Sequence, residues 1–302
     1  MTGEHGLIVD AHGNPTAVLG PHHFGDPYNS FSMLLRRSGV EQAGAVCRGE
    51  TGEIRLRMMG GEFSLNGVVS AAAAGRELLG VEDGRLRVVC SSLDGLVSAD
   101  VELGGDPRGG EAEVAVDLPR LEEEVRYQAG VGGGVARVSL PGIAHLLVPL
   151  CGDADALEER AANLLRRMGG QEDAALGVIF YTFSADEARI WPFVWVRKVD
   201  SLVAETSCGS GALAVGIHLS RACGGVGSLA VTQPSGGLTY VEGYATGAGQ
   251  NHGTGWRFVT RAQIVGELRC CPKEDHHHCG RSRPAGQRLV GGPMKNRLPT
   301  SP

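Results

Sequence analysis

Short runs in which apolar and polar positions alternate fill the first half of the chain: GLIVDA (6–11), TAVLG (16–20), AGAVCR (43–48), EIRLRMM (53–59), RLRVVCSSL (85–93), VSADVEL (97–103) and AEVAVDLP (112–119). Such runs, rich in Val, Ile and Leu and bounded by Gly and Asp, predict short strands. Two stretches break the rhythm. NSFSMLLRRSG (29–39) carries Phe31, Leu34 and Leu35 at helical spacing and stops at Gly39, which predicts a helix. LNGVVSAAAAGRELLG (65–80) is small or apolar without alternation and ends at Gly80, the pattern of a buried helix.

The second half repeats this order. VARVSLPG (135–142) and AHLLVPL (144–150) read as strands, and ADALEERAANLLRRMGG (154–170) as an amphipathic helix with an acidic start, a basic end and a Gly stop. ALGVIFYTFS (175–184), EARIWPFVWVR (187–197) and SLAVTQP (228–234) then read as strands, and GALAVGIHLSRACG (211–224) as a second buried helix. In each half a Gly-flanked polar segment, EFSLNG (62–67) or ETSCGSG (205–211), runs straight into a small-residue helix. The order of elements predicts an α+β fold of two pseudo-symmetric halves, each joining a run of strands to one such helix. The Gly-rich stretch 130–134 reads as the hinge between a half at 1–133 and a half at 134–267. From 268 to 302 the chain has little apolar content and no periodicity, the composition of a disordered tail.

Composition narrows the class. Apolar residues at 42% and charged residues at 21% fit a globular chain. Glycine, at 47 residues, supplies the many tight turns that a strand-rich fold needs. A net charge of -6 gives no electrostatic footprint for nucleic acid or an anionic membrane. No apolar run reaches membrane-spanning length and the start lacks a signal-peptide pattern, so a cytoplasmic protein with reduced cysteines is expected.

The two polar segments are where chemistry can sit. A helix start presents unpaired backbone N–H groups, and these make an anion site. Cys208-Gly209-Ser210-Gly211 puts a thiol beside one such start. A helix N-terminus lowers a cysteine pKa, and the same N–H groups can hold a substrate carboxylate. A base next to a carboxylate clamp is the minimum for removing the proton on the carbon between them. On residue type alone, Cys208 reads equally as a small buried residue before a helix.

The ordered set of motifs resembles the diaminopimelate epimerase-like superfamily, in which each half supplies one cysteine from a loop at a helix start. HGNPTAVL with Asn14 resembles the family's N-terminal motif, and LPGIAHLLV with His145 sits where the second half opens. VEQAG, MMGGEF, PFVWVRKVDSLVAETSCGSGALAVG and VTQPSGG are most similar to the histidine racemase branch of nicotianamine-like metallophore biosynthesis. The resemblance spans about residues 7 to 266 and implies that each half is a curved, mostly antiparallel sheet around a central helix. It implies cofactor-independent racemisation at the α-carbon of an amino acid, histidine foremost, with neither metal nor pyridoxal. One thiolate removes the α-proton, a thiol on the other face returns one, and the two helix starts stabilise the enediolate-like carboxylate. It also leaves a homodimer open.

The chain departs from that pattern where the branch has Glu-Phe-Cys-Gly-Asn, reading instead Glu62-Phe63-Ser64-Leu65-Asn66. A serine hydroxyl is a far weaker acid than a thiol, and Leu65 adds bulk where glycine let the backbone approach substrate. Three explanations stand: a one-base lyase or isomerase, a binding paralogue without turnover, or another cysteine (Cys47 or Cys90) filling the role. The resemblance makes Cys208 the thiol acid/base and Ser64 its weakened partner, with Asn14, Asn66 and the Gly209, Ser210 and Gly211 amides as the clamp. It further points Gln42 and His145 toward substrate, with Leu65 in the same wall. Each has a plainer reading: the asparagines as turn residues, Gln42 as surface, His145 as a buried imidazole with its hydrogen bonds met. Glu205 reads either as a partner for a substrate ammonium or as a capping carboxylate. Cys270, Cys271, His276, His277, His278 and Cys279 match no closed zinc spacing, so no metal site is expected. His22, His23 and residues 121–124 read as solvated surface.

Overall fold

Antiparallel pairing dominates, and the last strand closes the first seven into a ring. The computed structural model describes residues 4–25, 39–81, 84–128, 134–152, 154–168, 174–224, 227–246 and 253–270. The helix expected at 29–39 falls almost wholly outside them, as does the tail from 271 onward. Among the described residues the first seven strands are β1 (Glu4–Ala11), β2 (Asn14–Leu19), β3 (Gln42–Arg48), β4 (Ile54–Met58), β5 (Arg85–Ser92), β6 (Gly95–Gly104) and β7 (Ala112–Leu118). After them come β8 (Glu124–Gln128), β9 (Val135–Leu140), β10 (Ile143–Pro149), β11 (Ala175–Ser184) and β12 (Glu187–Val196). The last four are β13 (Ser201–Ala204), β14 (Ser228–Thr232), β15 (Leu238–Thr246) and β16 (Gly253–Cys270). The helices are α1 (Leu65–Leu79), α2 (Leu157–Met168) and α3 (Gly209–Ala222), each over the segment its pattern predicts.

Hydrogen bonding runs β1 to β7 in order, then through β16, and β16 returns to β1. These eight strands form a closed barrel around α1. From β16 the same sheet continues through β15, β14, β12, β11, β10 and β9 to β8, with α3 packed against β9 to β12 and β15. β16 is therefore shared: Gly253–Val259 pair with β15, Trp256–Ala262 with β7, and Gln263–Cys270 with β1. Its last three residues, Leu268 to Cys270, pair with Gly6, His5 and Glu4, so ordered strand continues past 268, where the composition reads as tail. Four pairs are parallel, namely β2–β3, β4–β5, β10–β11 and β12–β14. Parallel neighbours need a crossover; α1 supplies it for β4–β5, α2 for β10–β11 and α3 for β12–β14.

The core explains the small residues. Every residue of α1 from Leu65 to Gly75 is buried, inside a ring of strand residues that includes Ile54, Leu56, Met58 and Val116. A helix enclosed on all sides must be apolar all round and slim, hence the alanine run. Gly80 then stops it in a left-handed conformation, φ 63°. Among the described residues, no helix is long and apolar enough to cross a membrane.

Candidate active site

The two helix starts are built alike. Ser64 caps α1 with extended backbone (φ -130°, ψ 119°), and Cys208 caps α3 the same way (φ -132°, ψ 99°). Each side chain takes the N–H three residues on: Gly67 N–H donates to Ser64 Oγ at 3.0 Å, and Gly211 N–H to Cys208 Sγ at 3.4 Å. The starts also touch. A Cβ on Gly209 would lie 2.8 Å from Asn66 Oδ1 and 2.9 Å from Leu65 Cβ, so only glycine lets α3 begin this close to α1. Gly209 N–H donates to Asn66 Oδ1 at 3.2 Å, and Asn66 Nδ2 donates to the Ser207 carbonyl at 2.9 Å.

A small cavity lies at this junction. Its polar wall is Gln42, Glu62, Ser64, Asn66, Glu205, Cys208 and Ser210, and its apolar wall includes Met59, Ile143, Val194 and Val196. β12 forks to form one side. Its C-terminal end pairs with β13 and its N-terminal end with β14. Just beyond β13, the Glu205 N–H donates to the Pro192 carbonyl between those two pairings, at 3.1 Å. That fork delivers Glu205 to the cavity three residues before Cys208.

The electrostatics differ from what a helix start alone predicts. Burial raises the Cys208 thiol well above its ordinary value, and the neighbouring Glu205 carboxylate, to which the thiol donates, raises it further. The Gly211 N–H and the Ser210 hydroxyl pull the other way and lose. Desolvation works against a buried thiolate, and a like charge adds to it; the lowered pKa expected for Cys208 is therefore overturned. The same pair pushes Glu205 up to about 8, again through burial first. Glu62, 4% exposed, is pushed by burial to about 7, although its own N–H and that of Gly60 favour the carboxylate. His145 is fully buried and burial drives it down to about 3, so it is neutral. Its Nε2 lies 3.1 Å from Ser210 Oγ, which in turn lies 3.7 Å from Cys208 Sγ.

The other expected residues divide by place. Gln42, Ser64, Asn66, Glu205, Gly209 and Ser210 line the cavity with Cys208. Asn14 stands behind it: its Nδ2 donates to Glu41 Oε2 at 2.9 Å and to the Ser207 carbonyl at 3.0 Å, and its Oδ1 accepts from Gln42 and Thr16. It thus ties β2 to the Cys208 loop. Leu65 does not narrow the cavity; its side chain is fully buried in the core of the barrel. Glu205 does not cap α3, because Cys208 does. His145 and Gly211 lie one contact back, against Ser210 and Cys208. Cys47 and Cys90 are outside the cavity lining, Cys90 being held by a 3.9 Å contact to the Glu62 carbonyl. Sequence reasoning passed over Glu62 and Gln233, whose Oε1 receives the Cys208 N–H at 3.0 Å. For Glu62 the one available signal was an acidic residue inside an otherwise apolar MMGGEF run.

An eight-stranded barrel closed around one helix, its sheet running on past another, is the fold of the phenazine-biosynthesis and proline-racemase-like epimerases. A Bacillus anthracis phenazine biosynthesis protein of the PhzF family is similar over 90% of this chain and 100% of its own (TM-score 0.62, 16% identity). An Agrobacterium vitis hydroxyproline epimerase, solved with bound trans-4-hydroxy-L-proline, is similar over 88% and 90% (TM-score 0.62, 15% identity). Within that fold, residues 32–251 match the histidine racemase CntK N-terminal domain, and the chain belongs to that family. A curated histidine racemase from Fusobacterium nucleatum subsp. nucleatum is 28% identical over 196 residues, 62% of this chain and 69% of the relative. The class is accordingly an isomerase, an amino-acid racemase/epimerase.

Proposed function

We propose that this protein racemises an L-amino acid at its α-carbon, histidine first among substrates, with Cys208 as one proton-transfer group. The observation that carries the proposal is the contact between two helix starts over a cavity holding a single buried thiol. A substrate carboxylate at that contact competes with Asn66 for the Gly209 N–H and draws on both helix dipoles as its α-carbon becomes carbanionic. Glu205 is positioned to take the thiol proton or to pair with the substrate ammonium. Ser210 and neutral His145 hold the sulfur from behind. Residues 1–133 and 134–267 then act as two halves that bring one helix start each, with β8 and β16 crossing the boundary. The histidine racemase relatives support histidine over other substrates.

A second reading is favoured by one observation. The Ser64 hydroxyl is engaged twice, accepting from Gly67 and donating to Gln42 Oε1 at 2.8 Å, which fits one-thiol chemistry of the lyase or isomerase kind. Incubation of the purified protein with L-histidine and an amino-acid panel in deuterated water separates the two. Deuterium at Cα with inversion supports racemisation. Deuterium with retention supports the one-thiol enzyme, and an unexchanged panel excludes both.

A further inference from the structure

The racemase reading leaves a gap on the α1 side of the cavity, where a second proton-transfer group is needed and Ser64 serves as a helix cap. Glu62 lies two residues before that cap. It lines the same cavity, its side chain is more than nine-tenths buried, and its Oε2 has no hydrogen-bond partner. Buried polar atoms are almost always paired, so an orphaned carboxyl oxygen beside a cavity calls for an explanation. The other cavity carboxyl, Glu205, already belongs to the α3 side through its hydrogen bond with Cys208. The remaining cysteines near α1 do not reach the cavity. Resting on the racemase reading, we propose that Glu62 is the second acid/base: its carboxylate and the Cys208 thiol exchange protons with the substrate α-carbon from the two walls of the cavity.

The step balances as follows. Starting from Glu62 carboxylate and Cys208 thiol, Glu62 takes the α-proton of one enantiomer and the C–H electron pair moves into the substrate carboxylate. The Cys208 S–H bond then breaks as its proton forms the new C–H bond on the other face. Glu62 is left protonated and Cys208 as thiolate; the opposite enantiomer runs the same step backwards and restores the start. The resting protonation states agree with this direction, since the thiol is raised well above its ordinary value and Glu62 titrates near 7. A catalytic group is most effective when it titrates near the working pH. The groups acting on Glu62 are Lys198 from the 3-10 turn Arg197–Val199, which favours the carboxylate, and Glu205 across the cavity. The Cys90 thiol contacts the Glu62 carbonyl, and burial together with the Glu62 carboxylate holds that thiol protonated.

The test uses the full chain as wild type and Glu62→Gln, incubated in deuterated water with each enantiomer of histidine and then the panel. Deuterium at Cα is read by NMR, configuration by chiral chromatography, and folding by thermal melting. The expected result is loss of inversion by at least about 100-fold, the usual scale for removing a general acid/base, while added histidine still raises the melting temperature as it does for wild type. Inversion within threefold of wild type overturns the proposal and leaves the racemase reading standing. Loss of the histidine-induced rise in melting temperature, in a variant that otherwise melts like wild type, also overturns it. A wild type that exchanges nothing overturns the racemase reading and this inference together. Should Glu62→Gln fail to fold, Glu62→Asp decides. The shortened carboxylate is expected to slow inversion at least about 10-fold in a chain that melts like wild type, and inversion within threefold of wild type overturns the proposal.

Discussion

At the scale of single residues, surroundings invert the chemistry that residue type implies. Cys208 sits where a helix start favours a thiolate, yet burial and the Glu205 carboxylate keep it protonated. Iodoacetamide at pH 7.5 should therefore label Cys208 much more slowly than exposed Cys151 and Cys223, as peptide mass spectrometry would read it. Glu62 and Glu205 both have folded-state pKa values raised above the ordinary 4.5, to about 7 and about 8. Between pH 4.5 and those values the folded chain holds protons that the unfolded chain has released. Their contribution to stability is thus full below pH 4.5 and lost as pH rises through 7 and 8. Urea midpoints should fall across that window, and the fall should flatten in the Glu62→Gln, Glu205→Gln double variant. Ser64 acts as a cap, so Ser64→Ala should cost about 1 kcal/mol in urea denaturation and leave Gln42 Oε1 without its donor. The sequence showed that position 64 lacks a thiol; it did not show that the hydroxyl is already engaged, because Gln42 approaches from a strand 22 residues away.

At the scale of elements, the helices were the most legible part. α1, α2 and α3 fall on the predicted segments because small residues on every side, or a clear amphipathic stripe with end charges, have few alternative explanations. β13, β15 and β16 were harder. β16 buries Trp256, Phe258, Thr260 and Ala262 at alternate positions, but its glycines and charges hide that period in the one-dimensional pattern. β13 is four residues long and exists because the end of β12 offers it a partner. The most sensitive joint is that between α1 and α3. Gly209→Ala would drive a methyl into Asn66 and Leu65, and overpacking of this kind costs roughly 1–3 kcal/mol. A drop of that size in stability, together with loss of Cα deuterium exchange, is the expected outcome. Unchanged stability would mean that the two starts stand further apart.

At the scale of the whole molecule, closure is the organising event. β1 pairs with both β2 and β16, so the barrel leaves no open edge on that side, whereas β8 ends the path of the continuing sheet. Closed strands open only with global unfolding, while end strands fray. Hydrogen–deuterium exchange mass spectrometry should accordingly find β1 and the second half of β16 among the slowest amides, and Glu124–Gln128 among the fast ones. The closure also carries function. It surrounds α1 completely, so that the Ser64 and Glu62 end of the helix is the part that meets α3.

What the sequence determined alone is local: where the small-residue helices begin, that one start carries a thiol and the other a hydroxyl, and that strands with tight turns fill the rest. Neighbouring residues suffice for these, since period, capping and turn chemistry act over a few positions. Tertiary structure decided the return of the last strand to the first, the burial of Leu65 away from the cavity, the protonation of Cys208 and the burial of the Glu62 carboxyl with one oxygen unpartnered. Each of these depends on partners far apart in the chain, and on a loss of water that only the assembled fold imposes.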